Sequence, residues 1–421
     1  MNLSYFIARR IAGSSTTGHS GTIIKIAIVT ISLSIATMIM ATLVLYGFKN
    51  GISEKVFGFW GHIHITDSKI NRSLELSPIL NNNDLKTAVA SIEGVYDERD
   101  KDNYTKGGVS RIHPYIMMPA IINRKDDLEG IILKGVDEEY DWTGFEQYLR
   151  EGRFPDTSTK KPGRDILISE QTARRLQVDV DDKLVIYFLD EQEAVRKAFN
   201  ISGIYKTGLE EYDVKFAFLH MGILQDVLEW DSAQVGGFEV FIDDIEDAEL
   251  LADYIYNEIL PPNLYAQTIK EKFDNLFEWI GLQDLNALLL LVLMTLVAVI
   301  NMSTALLILI LERARMIGVL KSIGANIWTI RKVFLYVAFW IMTASLILGN
   351  FLGLGLAAVQ KYTGFMKLDE TNYYLSEVPI EFNWYSILLL NLATMLVTVL
   401  FMLIPTYLVS RIQVIKILRF D

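Results

Sequence analysis

Few residues of this 421-residue chain stand in spacings that do chemistry. His62 and His64 are two apart, so a strand places both on one face. With no third ligand nearby, the pair predicts plain surface residues rather than a metal site. His113-Pro114 reads as a turn. The pattern G-x-x-x-x-G-K-[ST] does not occur, which argues against ATP binding by a P-loop, and neither G-x-S-x-G nor H-E-x-x-H is present. The chain has no cysteine, so disulfides and thiolate metal sites are excluded. Carboxylates are abundant between residues 49 and 283, but no pair stands out as catalytic, and they read as a solvated face. The expectation is a chain with no catalytic residue, metal or cofactor of its own.

The elements that carry the rest of the chain are long apolar runs. Residues 23–48 hold one charge, Lys25, while 285–311, 333–359 and 384–409 hold none. A bilayer core about 30 Å thick needs roughly 20 helical residues at about 1.5 Å each, and every run exceeds that. The first run is too long for a signal-peptide core and lacks an A-x-A-like end, so it predicts a retained anchor. Spans two, three and four carry no ionisable group in their interiors. Asn301, Ser303, Thr304, Asn350 and Asn391 read as helix–helix hydrogen-bonding groups, and energy for transport must come from a partner rather than from an ion path. Gly349-x-x-x-Gly353, followed by Gly355, predicts close helix contact in the third span.

Charge sets the orientation. Residues 49–283 carry 26 Lys+Arg against 44 Asp+Glu, a net of −18, and the remainder nets +6. The positive loops hold Arg9, Arg10 and Lys25; Arg313, Arg315, Lys321, Arg331 and Lys332; and Arg411, Lys416 and Arg419. Positive loops stay in the cytoplasm. The 360–383 loop is acidic through Asp369, Glu370, Glu377 and Glu381. Both termini are therefore expected inside, and a large acidic domain outside.

The predicted organisation follows. Residues 1–22 form a cytoplasmic interfacial helix and loop, with Leu3, Phe6, Ile7 and Ile11 on one side and a Ser/Thr/Gly-rich loop over 13–21. Spans cover 23–48, 284–311, 333–359 and 384–409. Residues 49–283 form a periplasmic domain of alternating strands and helices, hence mixed α/β. Its last segment, 265–283, reads as a helical stalk continuous with the second span. Residues 312–332 form a cytoplasmic connector, 360–383 a periplasmic loop and 410–421 a cytoplasmic tail. In the connector, Met316, Ile317, Leu320 and Ile323 make one apolar helical stripe, Gly324 ends the helix and Asn326 caps the next. Such a helix lies on lipid or docks in a groove of a soluble partner.

The segment from Glu312 to Ala325 resembles the "E-x-x-x-E-I-G-[IV]-L-[KR]-[AS]-[IL]-G-A" region of ABC permeases of the MacB/FtsX superfamily, with Met316 where the family commonly has Glu. Further segments resemble the LolC/LolE lipoprotein-releasing branch. They are Tyr46-Gly-Phe-Lys-Asn-Gly-Ile-Ser, Ile168-Ser-Glu-Gln-Thr-Ala-Arg-Arg-Leu, Phe199-Asn-Ile-Ser-Gly-Ile-Tyr-Lys-Thr-Gly-Leu-Glu-Glu-Tyr-Asp213, and the end from Ser410 to Asp421. The resemblance covers nearly the whole chain. It implies a fold of four transmembrane helices in MacB-like type VII ABC topology, with the α/β domain inserted between helices 1 and 2.

The resemblance also implies a role. Glu312, Arg313, Arg315, Met316, Ile317, Leu320, Lys321, Ile323 and Gly324 would form the coupling helix that seats in a LolD-like ABC ATPase, where ATP and Mg reside. The partners would be a second permease protomer, lipoprotein cargo, a LolA-like periplasmic carrier and membrane lipid, with no nucleic acid. Acyl chains would run against Met40, Val44, Phe48, Leu289 and Val292. LolC-type subunits carry a long hairpin, the hook, that captures the carrier; here only a short loop lies between Tyr187 and Phe199. That departure suggests a LolE-like member of a pair, or a homodimer. A MacB-like efflux permease and an FtsX-like scaffold controlling a cell-wall hydrolase are the alternatives.

Overall fold

The computed structural model describes residues 3–13, 19–69, 77–96, 104–124, 127–157, 163–189 and 194–411. In chain order the elements are α1 (Leu3–Gly13), α2 (His19–Trp60), β1 (Ile63–Asp67), β2 (Ile79–Leu80), α3 (Asn83–Ala90), β3 (Val109–Arg124), β4 (Asp127–Val136) and β5 (Leu149–Gly152). Then come β6 (Asp165–Ser169), α4 (Glu170–Leu176), β7 (Lys183–Leu189), β8 (Ala194–Tyr205), α5 (Glu210–Lys215), β9 (Phe216–His220) and α6 (Met221–Val227). Next are β10 (Gln234–Val235), β11 (Gly237–Ile242), α7 (Ala248–Tyr254), β12 (Leu264–Thr268), α8 (Ile269–Lys272) and α9 (Asp274–Glu312). The chain closes with α10 (Ala314–Ser322), α11 (Ile327–Thr363), α12 (Glu370–Tyr373), α13 (Trp384–Phe401) and α14 (Leu403–Arg411). Two compact units result: one of Met1–Asn50, Trp279–Lys367 and Glu377–Asp421, the other of Gly51–Glu278 and Leu368–Ser376. The acidic 360–383 loop thus contributes a short segment to the α/β unit.

Among the described residues, four helices are long and apolar enough to cross a membrane: Gly21–Trp60, Asp274–Glu312, Ile327–Thr363 and Trp384–Tyr407. Gly349 and Gly353 set a close crossing of α11 on α2. A methyl group on Gly349 would sit 2.8 Å from Cβ of Ile35 and 2.9 Å from the Ser32 carbonyl, and one on Gly353 would sit 3.1 Å from Cα of Ala36. Small residues here let α11 meet α2 backbone to backbone. Gly355 faces open space and takes no part. Asn350 and Asn391 exchange amide hydrogen bonds of 2.8 and 3.0 Å, tying α11 to α13. Thr304 instead donates to the Ile300 carbonyl of its own helix. The last apolar run is broken at Met402, and Pro405 falls in the first turn of α14, where its missing N–H leaves no bond unmade.

The N-terminal helix is present, but its buried face is Ser4, Ala8 and Ile11, while Phe6 is exposed. It packs on α11 rather than presenting a purely lipid face: Ser4 Oγ donates to the Thr329 carbonyl at 3.0 Å and Tyr5 meets Tyr336 edge-on. Of the predicted loop over 13–21, residues 14–18 lie outside the described residues, and α2 already begins at His19.

The second unit is mixed α/β. Its main sheet runs β12-β1-β11-β3-β4-β9-β6-β8-β5, with β7 bridging β3 and β8. The pairs β4·β9 and β6·β8 are parallel and the rest antiparallel. Ile65, Ile116, Leu133, Ile168, Ile201, Leu219 and Val240 from the strands and Leu224 and Leu251 from helices fill one core. Gly135 lets α6 lie on β4, since a methyl there would sit 2.9 Å from Cα of Met221.

Three readings change. His113 and Pro114 lie inside β3, not in a turn; β3 meets β4 only from Tyr115 onward, so Pro114 withholds no donor from that ladder. The segment 265–283 is not one helix: β12 alternates buried and half-buried residues, Thr268 and Glu271 form a capping box that starts α8, and the helix breaks at Phe273. His64 is no surface residue; it is 2% exposed.

Candidate functional site

Helices α2, α9 and α13 line a half-open cavity of about 500 Å³. Its shaft is apolar, lined by Met38, Leu45, Leu288, Leu291, Leu389 and Ala393, among others. Its polar end gathers Tyr46, Asp284, Asn383 and Ser386. Ser386 Oγ donates to Tyr46 Oη at 3.0 Å, Asn383 Oδ1 caps α13 through the Ser386 N–H, and Asp284 pairs with Lys49 at 3.1 Å. From Asp284 to Thr295 the lining rises about 16 Å along α9, roughly half a bilayer core. The arrangement suits an amphipathic molecule, with chain in the shaft and a polar group at the rim.

The residues expected to meet acyl chains share two of these helices but not the lining. Met40 and Val44 pack partly against the helical core, and Phe48 meets Trp279 at 5.8 Å. Leu289 and Val292 are 63% and 58% exposed on the outer face of α9. Thr42, Tyr46, Asp284, Asn383 and Ser386 were not singled out from the sequence. Their signal is polar residues grouped at one end of three apolar runs.

The connector forms α10 over Ala314–Ser322, one residue N-terminal of the Arg315–Ile323 helix that the resemblance implies. Gly324 has φ +86, the left-handed conformation that ends the helix, and Asn326 caps α11 through the Trp328 N–H. Ile317 is fully buried, and Met316 and Leu320 pack partly against the span core. Ile323 points outward at 74% exposure, joined by Val319 at 51%, Ile327 and Trp328. Arg315 is exposed and Arg313 N-caps the helix by position, without a side-chain cap bond. Glu312 and Lys321 both hold polar partners. The surface open to a partner is thus Arg315, Val319, Ile323 and the first turn of α11, where Arg331 lies over the Trp328 ring.

Within the α/β unit, a charged cluster lies under the last turn of α2. Lys134 and Glu239 are wholly buried and 2.6 Å apart. Lys134 Nζ also donates to the Phe59 carbonyl at 2.6 Å, and His64 Nε2 lies 2.8 Å from the Trp60 carbonyl. Lys272 Nζ lies 3.1 Å from His64 Nδ1. Because Nε2–H donates to Trp60, Nδ1 is the bare nitrogen that accepts from Lys272. Burial pushes the Lys134 ammonium down and the Glu239 carboxyl up, while their mutual attraction opposes both. Burial holds His64 well below the usual range and lowers Lys272 to about 8. Glu239 is the single charge of the apolar strand β11, and Lys134 interrupts the apolar stretch at the end of β4, which is the mark that could have revealed them.

The stretch from Phe199 to Asp213 runs from the end of β8 through a short loop, residues 206–209, into α5. Asp213 accepts from the Thr207 N–H (3.1 Å), the Thr207 hydroxyl (2.7 Å) and the Gly208 N–H (3.0 Å). Gly208 takes φ +77, which favours glycine, and Tyr212 stacks on Phe59. The β7 and β8 strands pair through Leu189 and Ala194, so only residues 190–193 lie between them, and these fall outside the described residues.

The family described as MacB-like periplasmic core domain matches residues 26–256, more than half of the chain, and FtsX-like permease C-terminal matches 288–414. The chain belongs to the MacB/FtsX superfamily of ABC-transporter permeases. Among curated relatives it is similar to the lipoprotein-releasing system transmembrane protein LolE of Haemophilus influenzae, at 21% identity over 99% of both chains. It is also similar to the LolC protein of that system in Xylella fastidiosa, at 21% identity over 93% of this chain and 92% of that one. A solved structure of the periplasmic region of MacB from Actinobacillus actinomycetemcomitans aligns with 51% of this chain and 92% of its own, at 10% identity and TM-score 0.34.

Proposed function

We propose that this chain is the permease subunit of an ATP-driven complex that extracts lipoproteins from the cytoplasmic membrane. The observation that carries the reading is the cavity between α2, α9 and α13, apolar along its shaft and polar at one end, in a chain that resembles lipoprotein-releasing proteins over its full length. Acyl chains would occupy the shaft and reach it along Met40, Val44 and Phe48 of α2. The exposed face of α9, with Leu289 and Val292, would meet a second protomer and close the path.

The charge distribution supports both termini in the cytoplasm and the α/β unit in the periplasm. Val319 and Ile323 beside Arg315 offer an apolar and basic surface to a separate ATPase, which would hold ATP and Mg. Withdrawing an acyl chain from lipid costs about 0.8 kcal/mol per CH₂, which calls for such a partner. ATP binding there would move the spans and, through them, the α/β unit, which would hand the lipoprotein to a soluble carrier. With only 190–193 joining β7 to β8, the carrier would dock without a long hairpin, as for a LolE-like subunit or a homodimer.

The test is gentle purification from the native membrane with mass spectrometry of what accompanies the chain. An ABC ATPase together with acylated lipoproteins supports the reading. An ATPase with an outer-membrane duct and no lipoprotein points to a MacB-like efflux permease, and one with a cell-wall hydrolase points to an FtsX-like scaffold.

A further inference from the structure

The charged cluster of the α/β unit holds the end of one helix with unusual completeness. The last carbonyls of an α-helix have no partner within the helix. At the end of α2, Gly61 adopts φ +72 and its N–H bonds to the Phe57 carbonyl at 2.8 Å. Lys134 takes the Phe59 carbonyl and His64 takes the Trp60 carbonyl. The next residue, His62, donates its N–H to the Val240 carbonyl of β11. A cation at a helix C-terminus is also favoured by the helix dipole.

The same groups reach the segment that leads out of the unit. Lys272, the last residue of α8, meets His64 Nδ1 and lies over the Trp60 ring. Phe273 packs on Trp60 at 5.5 Å and Phe277 stacks on Phe57 at 5.4 Å. The end of α2 and the start of α9 are therefore tied to one another and to β1, β4 and β11.

Stability alone does not call for this chemistry. A buried ion pair is commonly matched or exceeded by apolar residues of similar volume. What the pair adds is direction: Lys134 fixes one carbonyl of α2 and one carboxylate of β11 at once, where apolar packing would let the helix end slide.

We infer that Lys134 and Glu239 are positioning residues that pin the end of α2 to the sheet, so that displacement of that helix moves the α/β unit as a body. The inference rests on the ATP-driven reading above. The pin delivers motion to the sheet; without it the helix end shifts and the sheet stays behind. Lys134 sits on β4 and Glu239 on β11, the two strands flanking β3, so a pull on the Phe59 carbonyl is shared across the centre of the sheet.

The test replaces both charges with apolar residues of similar size, Lys134→Met with Glu239→Leu, in the intact complex in lipid nanodiscs. Hydrogen exchange is read over residues 57–62 and over β3, β4 and β11, together with ATP hydrolysis and lipoprotein release. The expected result is exchange about tenfold faster at 57–62, with the strands within about twofold of the wild type. ATP hydrolysis should be kept, and release should fall about tenfold. Unchanged exchange at 57–62 overturns the pin, as does faster exchange there with release intact. Faster exchange in the strands as well means that the pair serves folding alone, and also overturns it. If the wild-type complex releases no lipoprotein, the functional reading fails by itself; exchange at 57–62, with and without ATP, then decides the pin alone.

Discussion

Lys134 and Glu239 stand 2.6 Å apart with no exposed surface on either side chain. Glu239 Oε2 has no hydrogen-bond partner among the described residues. The carboxylate therefore depends chiefly on the Lys134 ammonium beside it, with a weaker attraction from Lys272 and the neutral His64 ring 3.7 Å from its other oxygen.

That dependence predicts strong asymmetry between single and double variants. Lys134→Met leaves a buried carboxylate unpaired and should cost about 3–5 kcal/mol of stability. Adding Glu239→Leu should recover most of the loss. Denaturant midpoints of the α/β unit in the detergent-solubilised chain, followed by near-ultraviolet circular dichroism, check both.

Acid should loosen the same unit through its histidines. Burial is the first cause that lowers His62 and His113 to about 4, and it holds His64 well below 6.5. The unfolded chain binds protons at these groups below about pH 6.5 while the folded chain does not. The histidine contribution is therefore full above pH 6.5 and falls as pH drops towards 4, by at most about 1.4 kcal/mol per pH unit for each histidine. His113→Phe should flatten the slope measured between pH 6.5 and 4.5.

Lys272 acts with the same sign on the alkaline side. Burial lowers it to about 8 against an unfolded value near 10.4, so the folded unit releases this proton first. Stability should rise between pH 8 and about 10, and Lys272→Met should abolish that rise in the same denaturation series.

The glycines of α11 predict a contrast within one helix. Gly349→Leu forces bulk against Ile35 and Ser32 and should cost about 1–3 kcal/mol or separate the helices. Gly355→Leu meets open space and should leave thermal stability in detergent unchanged.

The four spans and the role of Gly349 were legible because uncharged runs and small-residue spacing depend only on local sequence. Strands β4 and β8 were legible only in part, over the apolar stretches 131–136 and 198–204. Two-residue β2 and β10 carry too little pattern to read. His64 was misread because alternation gives its face but not what covers that face, which is the end of α2 and Lys272 from more than 200 residues away. The 265–283 stretch was misread because helical content after Thr268 masked a strand whose partner, β1, lies far back in the chain. On α10, periodicity gave the helix, but which side faces the spans depends on packing against α9 and α11.

That packing changes which substitution tests ATPase coupling. Leu320 is partly buried against the span core, so Leu320→Asp would disturb the helical unit itself. Val319→Asp and Ile323→Asp alter only exposed positions. Either should reduce retention of the ATPase on purification by about tenfold while membrane insertion persists.

The most direct test of lipoprotein extraction places a photo-crosslinking amino acid at Leu291, which lines the cavity, in the complex in its native membrane. The account predicts adducts with acylated lipoproteins that disappear when Ala393→Trp fills the shaft. Adducts with phospholipid or the partner protomer alone, in a complex that still hydrolyses ATP, would contradict it.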